Sequence, residues 1–356
     1  MKISLAMIVK NEELNIEKCL NSVVGLVDEI VIVDTGSTDN TIEKIKQFPD
    51  VKLFYFDWCD DFSIARNYSI EKTSGDYVLV LDADEYIHAG NRAELEKVIQ
   101  LNAVGKILID SHFRKNNQDY RSTTYVSRFF PKDTRFVGAI HEQLDTQKKR
   151  IATNLVVKHN GYYHTDKSKR NIPYLIKEVK KNPNDPYYLF QLGKELRISE
   201  RYKESYHFLE KSYVLVNKNA PYYGQLIIEL IYSGKEYGED KLFKLISDNE
   251  GILKNLTDFH FAKGLFYMDY CLSNPIQTEN YMRNIESSFL KCISLDENTK
   301  IEYLIGTGSY LPAFNLGVYY EVIGNIEKAI YFYEQSSQWG YSLARDRIKI
   351  LNEQNK

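Results

Sequence analysis

The stretch 77–85 reads Tyr77-Val-Leu-Val-Leu-Asp82-Ala-Asp84-Glu85, an unbroken apolar run that ends in three carboxylates. Such a run is typical of a strand buried on both faces, as in a parallel sheet. Carboxylates at its end need compensation, which a divalent cation usually supplies. Open α/β sheets bind ligands at the carboxyl ends of their strands, so the pattern Asp-x-Asp predicts a metal and phosphate site. A solvated acidic loop is the alternative, and the rest of the N-terminal half argues against it.

The composition is that of an ordinary globular chain. Its 356 residues suffice for two or three domains. A net charge of −3 gives no electrostatic case for nucleic acid as a partner. No segment approaches the ~20 apolar residues that cross a bilayer, and the first residues look like a strand and not like a targeting signal. We therefore expect a cytoplasmic protein without a transmembrane segment, able to bind a membrane only peripherally.

The first part of the chain alternates between strand-like and helix-like segments. Apolar runs predict strands at 3–9, 29–34, 51–56, 77–81 and 106–110, and helical spacing predicts helices at 15–24, 42–48, 62–72 and 94–101. Strands separated by helices at this rhythm are typical of an α/β domain with a mostly parallel sheet.

From about residue 173 onward the periodicity is almost entirely helical. Two segments share a Leu-Gly pair that is followed, at equal spacings, by two small residues: Gly193, Ser205 and Ser212 in one copy, and Gly317, Ala329 and Ser336 in the other. This is the tetratricopeptide pattern of two antiparallel helices with small residues at their crossing. We expect about four repeats, the third stretched near 274–284. The predicted domains are thus an α/β domain over 1–170 and all-α tetratricopeptide-like repeats over 171–356.

Polar residues follow three of the predicted strands, at 10–13, 34–39 and 82–85. In a parallel sheet these ends meet at one edge, and Arg66, near the start of a helix, adds a cation suited to phosphate. Together they predict a nucleotide-diphosphate site. A dinucleotide fold would need G-x-G-x-x-G after the first strand, and neither that motif nor a P-loop is present. For Asp39, capping of the next helix and a ligand role both stay open.

Four motifs, in this order and spacing, resemble the family 2 glycosyltransferases of GT-A fold. They are Met-Ile-Val-Lys-Asn-Glu-Glu at 7–13, Asp-Glu-Ile-Val-Ile-Val-Asp-Thr-Gly-Ser-Thr-Asp-Asn-Thr at 28–41, Asp-Phe-Ser-Ile-Ala-Arg-Asn at 61–67 and Leu-Asp-Ala-Asp-Glu at 81–85. The resemblance covers about residues 1–170. The subgroup that adds tetratricopeptide repeats includes the sublancin-type peptide S-glycosyltransferases and protein or flagellin glycosyltransferases. The segments 28–30 and 82–85 also resemble lipopolysaccharide-core enzymes, so the domain alone leaves the acceptor open.

The resemblance implies a Rossmann-like GT-A fold and a nucleotide sugar, with a UDP-sugar expected, as the donor. Asp34 would hydrogen-bond the base, and Glu13 and the backbone at Val9 would border that pocket. Arg66 would steady the base or the diphosphate.

The resemblance also implies a metal-dependent, inverting reaction. Asp84 would ligate Mn²⁺ or Mg²⁺ and so serve the chemistry directly, while Asp82 would touch both the ribose and the metal. His159 would be a further metal ligand, with His164 as its rival. Direct displacement requires one general base near the acceptor, for which Glu142 is the candidate and a plain salt bridge is the alternative.

The acceptor is open between a peptide or protein, held partly by the repeats, and a lipid-linked, lipopolysaccharide or cell-wall glycan. In the second case the repeats would serve homodimer formation or docking. A third possibility is a non-catalytic scaffold. The carboxylates and the arginine of the four motifs are all intact, which argues against that reading.

Overall fold

The computed structural model describes residues 1–115, 118–159, 167–295 and 303–354. The chain divides into two compact units after Tyr174. Each unit has its own apolar core. Within the described residues, none of the helices combines the length and the apolarity that a membrane span requires.

The first unit is an α/β domain. Its helices are α1 (Ile16–Ser22), α2 (Thr41–Ile45), α3 (Phe62–Glu71) and α4 (Arg92–Gln100), and α5 (Ser168–Lys181) begins near its end. Its strands are β1 (Ile3–Val9), β2 (Glu29–Asp34), β3 (Val51–Tyr55), β4 (Tyr77–Val80), β5 (Glu85–Ala89), β6 (Val104–Lys115), β7 (Gln118–Pro131), β8 (Arg135–Val137), β9 (Gln143–Asp145) and β10 (Arg150–His159).

The main sheet has the strand order β3-β2-β1-β4-β7-β6-β10-β5. Strands β1 to β4 run parallel, and Val9 lies opposite Asp34 where β1 and β2 end. Strand β7 runs antiparallel between β4 and β6, β10 is parallel to β6, and β5 returns antiparallel to β10. The carboxyl ends of β1, β2 and β4 therefore share one edge, as the sequence predicted.

Apolar residues on both faces hold this sheet in place. Helices α1 and α4 cover one face, with Leu20 and Leu95 completely buried. On the other face Ile70 of α3 packs with Phe136 of β8 and Leu144 of β9. Among the described strands, β8 and β9 pair with each other and with no third strand, as a separate hairpin. The fold-class prediction is confirmed. Strands β5 and β7 to β10 were not predicted.

The second unit is built of helical repeats. Its described helices after α5 are α6 (Pro186–Ile198), α7 (Tyr202–Leu215), α8 (Tyr223–Tyr237), α9 (Leu242–Asn249), α10 (Thr257–Ser273), α11 (Thr278–Leu295), α12 (Tyr310–Val322), α13 (Ile326–Gln338) and α14 (Ser342–Gln354), with a short 3₁₀ turn at Pro275–Gln277 and a two-residue strand, β11 (Tyr303–Leu304). Successive helices from α6 to α13 form four pairs in the described part of this unit, as predicted. The stretching of the third pair lies in longer helices and not in an inserted loop.

Small residues permit the close crossings of these helices. At Gly193 an added Cβ would stand 2.5 Å from Leu209, and at Gly317 it would stand 2.5 Å from the ring of Tyr333. Ser205 donates its hydroxyl hydrogen to the Gly193 carbonyl at 2.7 Å. The two glycines and the small residues that follow them thus serve helix packing, as the tetratricopeptide pattern requires.

Candidate active site

The carboxylates that follow β4 face two different sets of partners. Asp84 points toward the end of β10, where its Oδ2 lies 3.1 Å from His159 Nε2 and 3.2 Å from Lys167 Nζ. Its side chain is about 11% exposed. Burial would raise the pKa of Asp84, but the hydrogen bond from His159 and the charge of Lys167 outweigh it and lower the pKa. Asp84 is therefore an ionised group with cationic or polar partners on one oxygen.

Asp82 is held by two arginines, one on each carboxylate oxygen. Arg66 Nη2 donates to Oδ1 at 2.8 Å, and Arg128 Nη2 donates to Oδ2 at 3.0 Å. Burial raises the pKa of Asp82, yet the two guanidinium groups lower it well below the usual range. The carboxylate is thus fixed in orientation.

Glu85 stabilises the turn after β4 through hydrogen bonds to Asp82 and Arg128. It is 3% exposed, accepts the Asp82 backbone N–H at 2.9 Å through Oε2, and accepts from Arg128 Nη2 at 3.0 Å through Oε1. Burial raises the pKa of Glu85, and Asp82 adds to that rise, while Arg128 opposes it. Arg128 thereby ties together two carboxylates that would otherwise repel each other.

Glu142 reaches the same cluster from the hairpin of β8 and β9. Its Oε1 accepts a hydrogen bond from Arg66 Nε. The preceding turn has positive φ values at Gly138 (95°) and His141 (50°), the second rare for a residue with a side chain. Arg66 thus joins the base candidate Glu142 to Asp82. Burial opposes the charge of Arg66, but the two carboxylates raise its pKa, so it stays protonated.

The residues expected around the nucleotide base all hydrogen-bond to the segment that follows β2, residues 35–40. Asp34 accepts the backbone N–H groups of Gly36 at 2.9 Å and Ser37 at 3.0 Å, and Gly36 has φ +102°, which favours glycine. Glu13 accepts from the backbone and side chain of Asn40 at 3.0 and 2.9 Å. The backbone carbonyl of Val9 accepts the N–H of the residue after Asp34 at 2.9 Å.

These contacts shape the turn that follows β2. Asp39 belongs to that turn as well, since it accepts the N–H of Thr41 at 3.0 Å and that of Glu13 at 3.2 Å. The predicted site residues that the structure describes therefore fall into three hydrogen-bonded groups. Arg66 joins Asp82 to Glu142, Asp84 lies with His159, and Val9, Glu13, Asp34 and Asp39 belong to the turn that follows β2. The donor-binding roles of Val9, Glu13 and Asp34 stay predictions. His164 lies outside the described residues.

Three further residues join the site although the sequence did not single them out for it. Arg128 is a cation directly before the apolar pair Phe129-Phe130 of β7, a signal that could have been used. Lys167 reaches the site through its contact with Asp84 Oδ2 at 3.2 Å. Glu12 is half-buried and accepts from Asn15 Nδ2 at 2.8 Å; burial, with the charges of Asp84 and Asp82, raises its pKa. The sequence does not distinguish Glu12 from Glu13, because they are adjacent glutamates; only the fold shows which of them lies near Asp82 and Asp84.

Whether the cluster can hold a divalent cation depends on its donor atoms. Asp84 and His159 present an oxygen and a nitrogen donor close together, a pair that suits Mn²⁺. Both oxygens of Asp82 are already engaged by guanidinium groups, so Asp82 as a ligand stays a prediction. Within the described ranges, no group of three His, Cys, Asp or Glu residues is arranged as a complete metal site. The pair therefore fits a cation that would take its remaining ligands from water and from the phosphates of a nucleotide substrate.

The chain matches the family described as "Glycosyl transferase family 2" over residues 4–185, about half of its length, and it belongs to that family. The match covers every residue of the cluster described above.

The relatives include the SPbeta prophage-derived glycosyltransferase SunS of Bacillus subtilis (strain 168), which is 32% identical over 224 residues, 59% of this chain and 53% of the relative. A TPR repeat-containing protein of Synechococcus elongatus is 31% identical over 209 residues, 54% of this chain and 51% of the relative. The chain thus spans about half the length of these curated relatives. Among solved structures, S. aureus TarS 1-349 is similar at 14% identity and a TM-score of 0.29, over 96% of this chain and 93% of that one.

Proposed function

We propose that this protein is a divalent-metal-dependent, inverting glycosyltransferase that uses a nucleotide diphosphate sugar, with a UDP-sugar as the expected donor. The observation that carries the proposal is the pairing of Asp84 with His159 at the carboxyl edge of the sheet, next to the Arg66–Asp82–Glu142 cluster. Family membership supports the reaction class. The edge position is where open α/β sheets bind nucleotides.

Each side chain of the cluster has a distinct task in this proposal. Asp84 and His159 would hold the metal, whose charge would stabilise the diphosphate as a leaving group. Arg66 and Arg128 hold Asp82 in one orientation, ready to accept from the ribose hydroxyls. Glu142 takes the proton of the acceptor as the acceptor atom bonds to the anomeric carbon and the carbon–diphosphate bond breaks. Arg66 occupies Oε1 of Glu142, so Oε2 is the oxygen that would receive the proton.

For the acceptor we propose a peptide or protein that is bound partly by the helical repeats. Stacked helix pairs of this kind form extended concave surfaces, which suit polypeptide segments. The repeat unit has no other role in the proposed chemistry. This part of the proposal is tested by the range of acceptors that the protein modifies.

The donor and metal are tested with purified protein and a panel of UDP-Glc, UDP-GlcNAc and UDP-Gal, each with Mn²⁺ or with EDTA. We expect at least one donor to be hydrolysed with Mn²⁺ and not with EDTA. Asp84→Asn should weaken Mn²⁺ binding, measured by calorimetry, by at least about tenfold and remove the hydrolysis. Asp28→Asn is the control, because Asp28 pairs with Arg92 at the opposite, amino-terminal edge. Equal Mn²⁺ affinity in wild type and Asp84→Asn would overturn the metal assignment.

A further inference from the structure

Glu142 stands in a hairpin that, among the described residues, has no backbone pairing with another strand; the Arg150 side chain at the start of β10 donates to the Leu144 carbonyl at 3.5 Å. Strands β8 and β9 pair with each other alone, with Phe136 opposite Leu144, and Glu142 directly precedes β9. A two-stranded hairpin is only marginally stable by itself. The position of Glu142 is therefore determined by whatever attaches this hairpin to the rest of the domain.

Apolar contacts supply part of the attachment. Phe136 is 6% and Leu144 8% exposed, and the Phe136 ring meets Phe130 edge-on at 5.5 Å between ring centroids. Burial of apolar surface is non-directional. These contacts hold the hairpin against the sheet, but a small displacement of the hairpin along the strand direction would change their free energy little.

Asn67 of α3 supplies the directional part. Its side-chain Nδ2 donates to the Phe136 carbonyl at 2.9 Å, and its Oδ1 accepts the Phe136 N–H at 2.8 Å. One amide group thereby pairs with both polar groups of one residue on the free edge of β8, as a neighbouring strand would. Two hydrogen bonds to one residue fix both the position of β8 along α3 and the direction in which the strand runs.

The same helix makes two further links to the hairpin. The Phe62 N–H donates to the Ala139 carbonyl at 2.9 Å, and Arg66 bonds Glu142 itself. Phe62 and Arg66 are one helical turn apart, so they lie on the same side of α3. Helix α3 thus contacts the strand, the turn and the carboxylate in succession.

We propose that Asn67 is a positioning residue for the reaction. Its paired hydrogen bonds to Phe136 fix the hairpin relative to α3, in the position where Glu142 can take a proton from the acceptor. The inference rests on the proposed function of Glu142 as the base. Asn67 acts through the hairpin and needs no contact with either substrate.

The test uses the full-length protein with Asn67→Asp, which preserves the shape of the side chain. At neutral pH the new carboxylate can still accept the Phe136 N–H but repels the Phe136 carbonyl, so one bond is lost without a cavity. Ser69→Ala is the matched control. Ser69 is buried on the same helix, and its hydroxyl donates to the Arg66 carbonyl within that helix, at 2.7 Å. Any general loss of helix stability would affect both variants.

Three measurements separate positioning from a structural role. They are the kcat of Mn²⁺-dependent UDP-sugar hydrolysis, the affinity for UDP with Mn²⁺, and hydrogen exchange of the Phe136 amide. We expect Asn67→Asp to lower kcat by roughly 10- to 100-fold, as small misplacements of catalytic groups do, with UDP affinity changed less than about twofold. The Phe136 amide should exchange faster. Ser69→Ala should match wild type in kcat and in this exchange.

A double-mutant cycle with Glu142→Gln then identifies the route. If Asn67 acts through Glu142, Asn67→Asp should change the residual rate of Glu142→Gln less than about twofold. An undiminished effect in that background, or a parallel loss of UDP affinity, would overturn the inference while leaving the base assignment intact. A kcat equal to that of the wild type in Glu142→Gln would instead refute Glu142 as the base, and with it the positioning role of Asn67.

Discussion

Glu29→Gln offers a quantitative test of how the sheet domain is held at the edge opposite the site. Glu29 begins β2 with a side chain that is 3% exposed. It accepts from Ser4 on β1, from the backbone N–H of Ser74 at 2.7 Å and from Lys52 on β3 at 2.7 Å. One carboxylate thus links three parallel strands and the turn before a fourth.

The magnitude follows from the pKa of this carboxyl group. Burial alone would raise the pKa of Glu29, but the hydrogen bonds from Lys52, Ser4 and Ser74 lower it from 4.5 to about 2. At ~1.4 kcal/mol per pKa unit, the difference corresponds to about 3 kcal/mol of stability at pH 7. Because the folded pKa is depressed, this contribution is complete above the unfolded pKa and declines as pH falls toward about 2. It should amount to about 2 kcal/mol at pH 3.5.

The assay is urea unfolding followed by tryptophan fluorescence in a Trp339→Phe background, because Trp58 then reports on the first unit alone. Glu29→Gln should lose about 3 kcal/mol at pH 7 relative to this background, and the loss should shrink by roughly 1 kcal/mol at pH 3.5. Asp28→Asn is the control, since its ion pair with Arg92 is part-exposed and worth at most about 1 kcal/mol. A loss at pH 7 below 1 kcal/mol, or one that does not change with pH, would refute the reasoning.

Two more predictions concern the site and the repeats. Arg128→Gln removes a cation shared by two carboxylates, so the free energy of unfolding should fall by roughly 3–5 kcal/mol at pH 7. The loss should be smaller at pH 4.5, where protonation relieves the repulsion; urea titrations in EDTA at both pH values would measure this, and an equal loss at both would contradict it. Gly193→Ala places a Cβ 2.5 Å from Leu209 and should destabilise the repeat unit by about 1–3 kcal/mol in thermal unfolding, whereas Gly251→Ala, where the space is open, should change little. Equal melting temperatures for the two variants would show that the helix crossing is not tightly packed.

The sequence alone predicted the elements whose signals are local. The apolar runs of β1, β2 and β4 and the helical spacing of α1, α3 and α4 are properties of a few neighbouring residues. The Leu-Gly pairs of the repeats are equally local, because only a residue without a side chain permits the close crossing. The parallel arrangement then follows from the alternation of strand and helix, and with it the meeting of Asp34 and Asp82 at one edge.

The tertiary structure decided which charges meet. Arg128 comes from an antiparallel strand that the sequence did not predict, and its pairing with Asp82 and Glu85 depends on the order β4-β7 in the sheet. His159 and Lys167 reach Asp84 from positions 75 and 83 residues away in the chain.

The sequence of this protein therefore determined the class of fold and the edge of the sheet at which Asp34, Asp82 and Asp84 lie. Only the tertiary structure supplied their charged partners: Asp82 lies between Arg66 and Arg128, and Asp84 lies beside Lys167 as well as beside His159, which the family resemblance suggested. The physical reason is that strand and helix formation follows from side chains close in sequence. The charge state and partner of a buried carboxylate depend instead on groups brought within a few ångströms by folding.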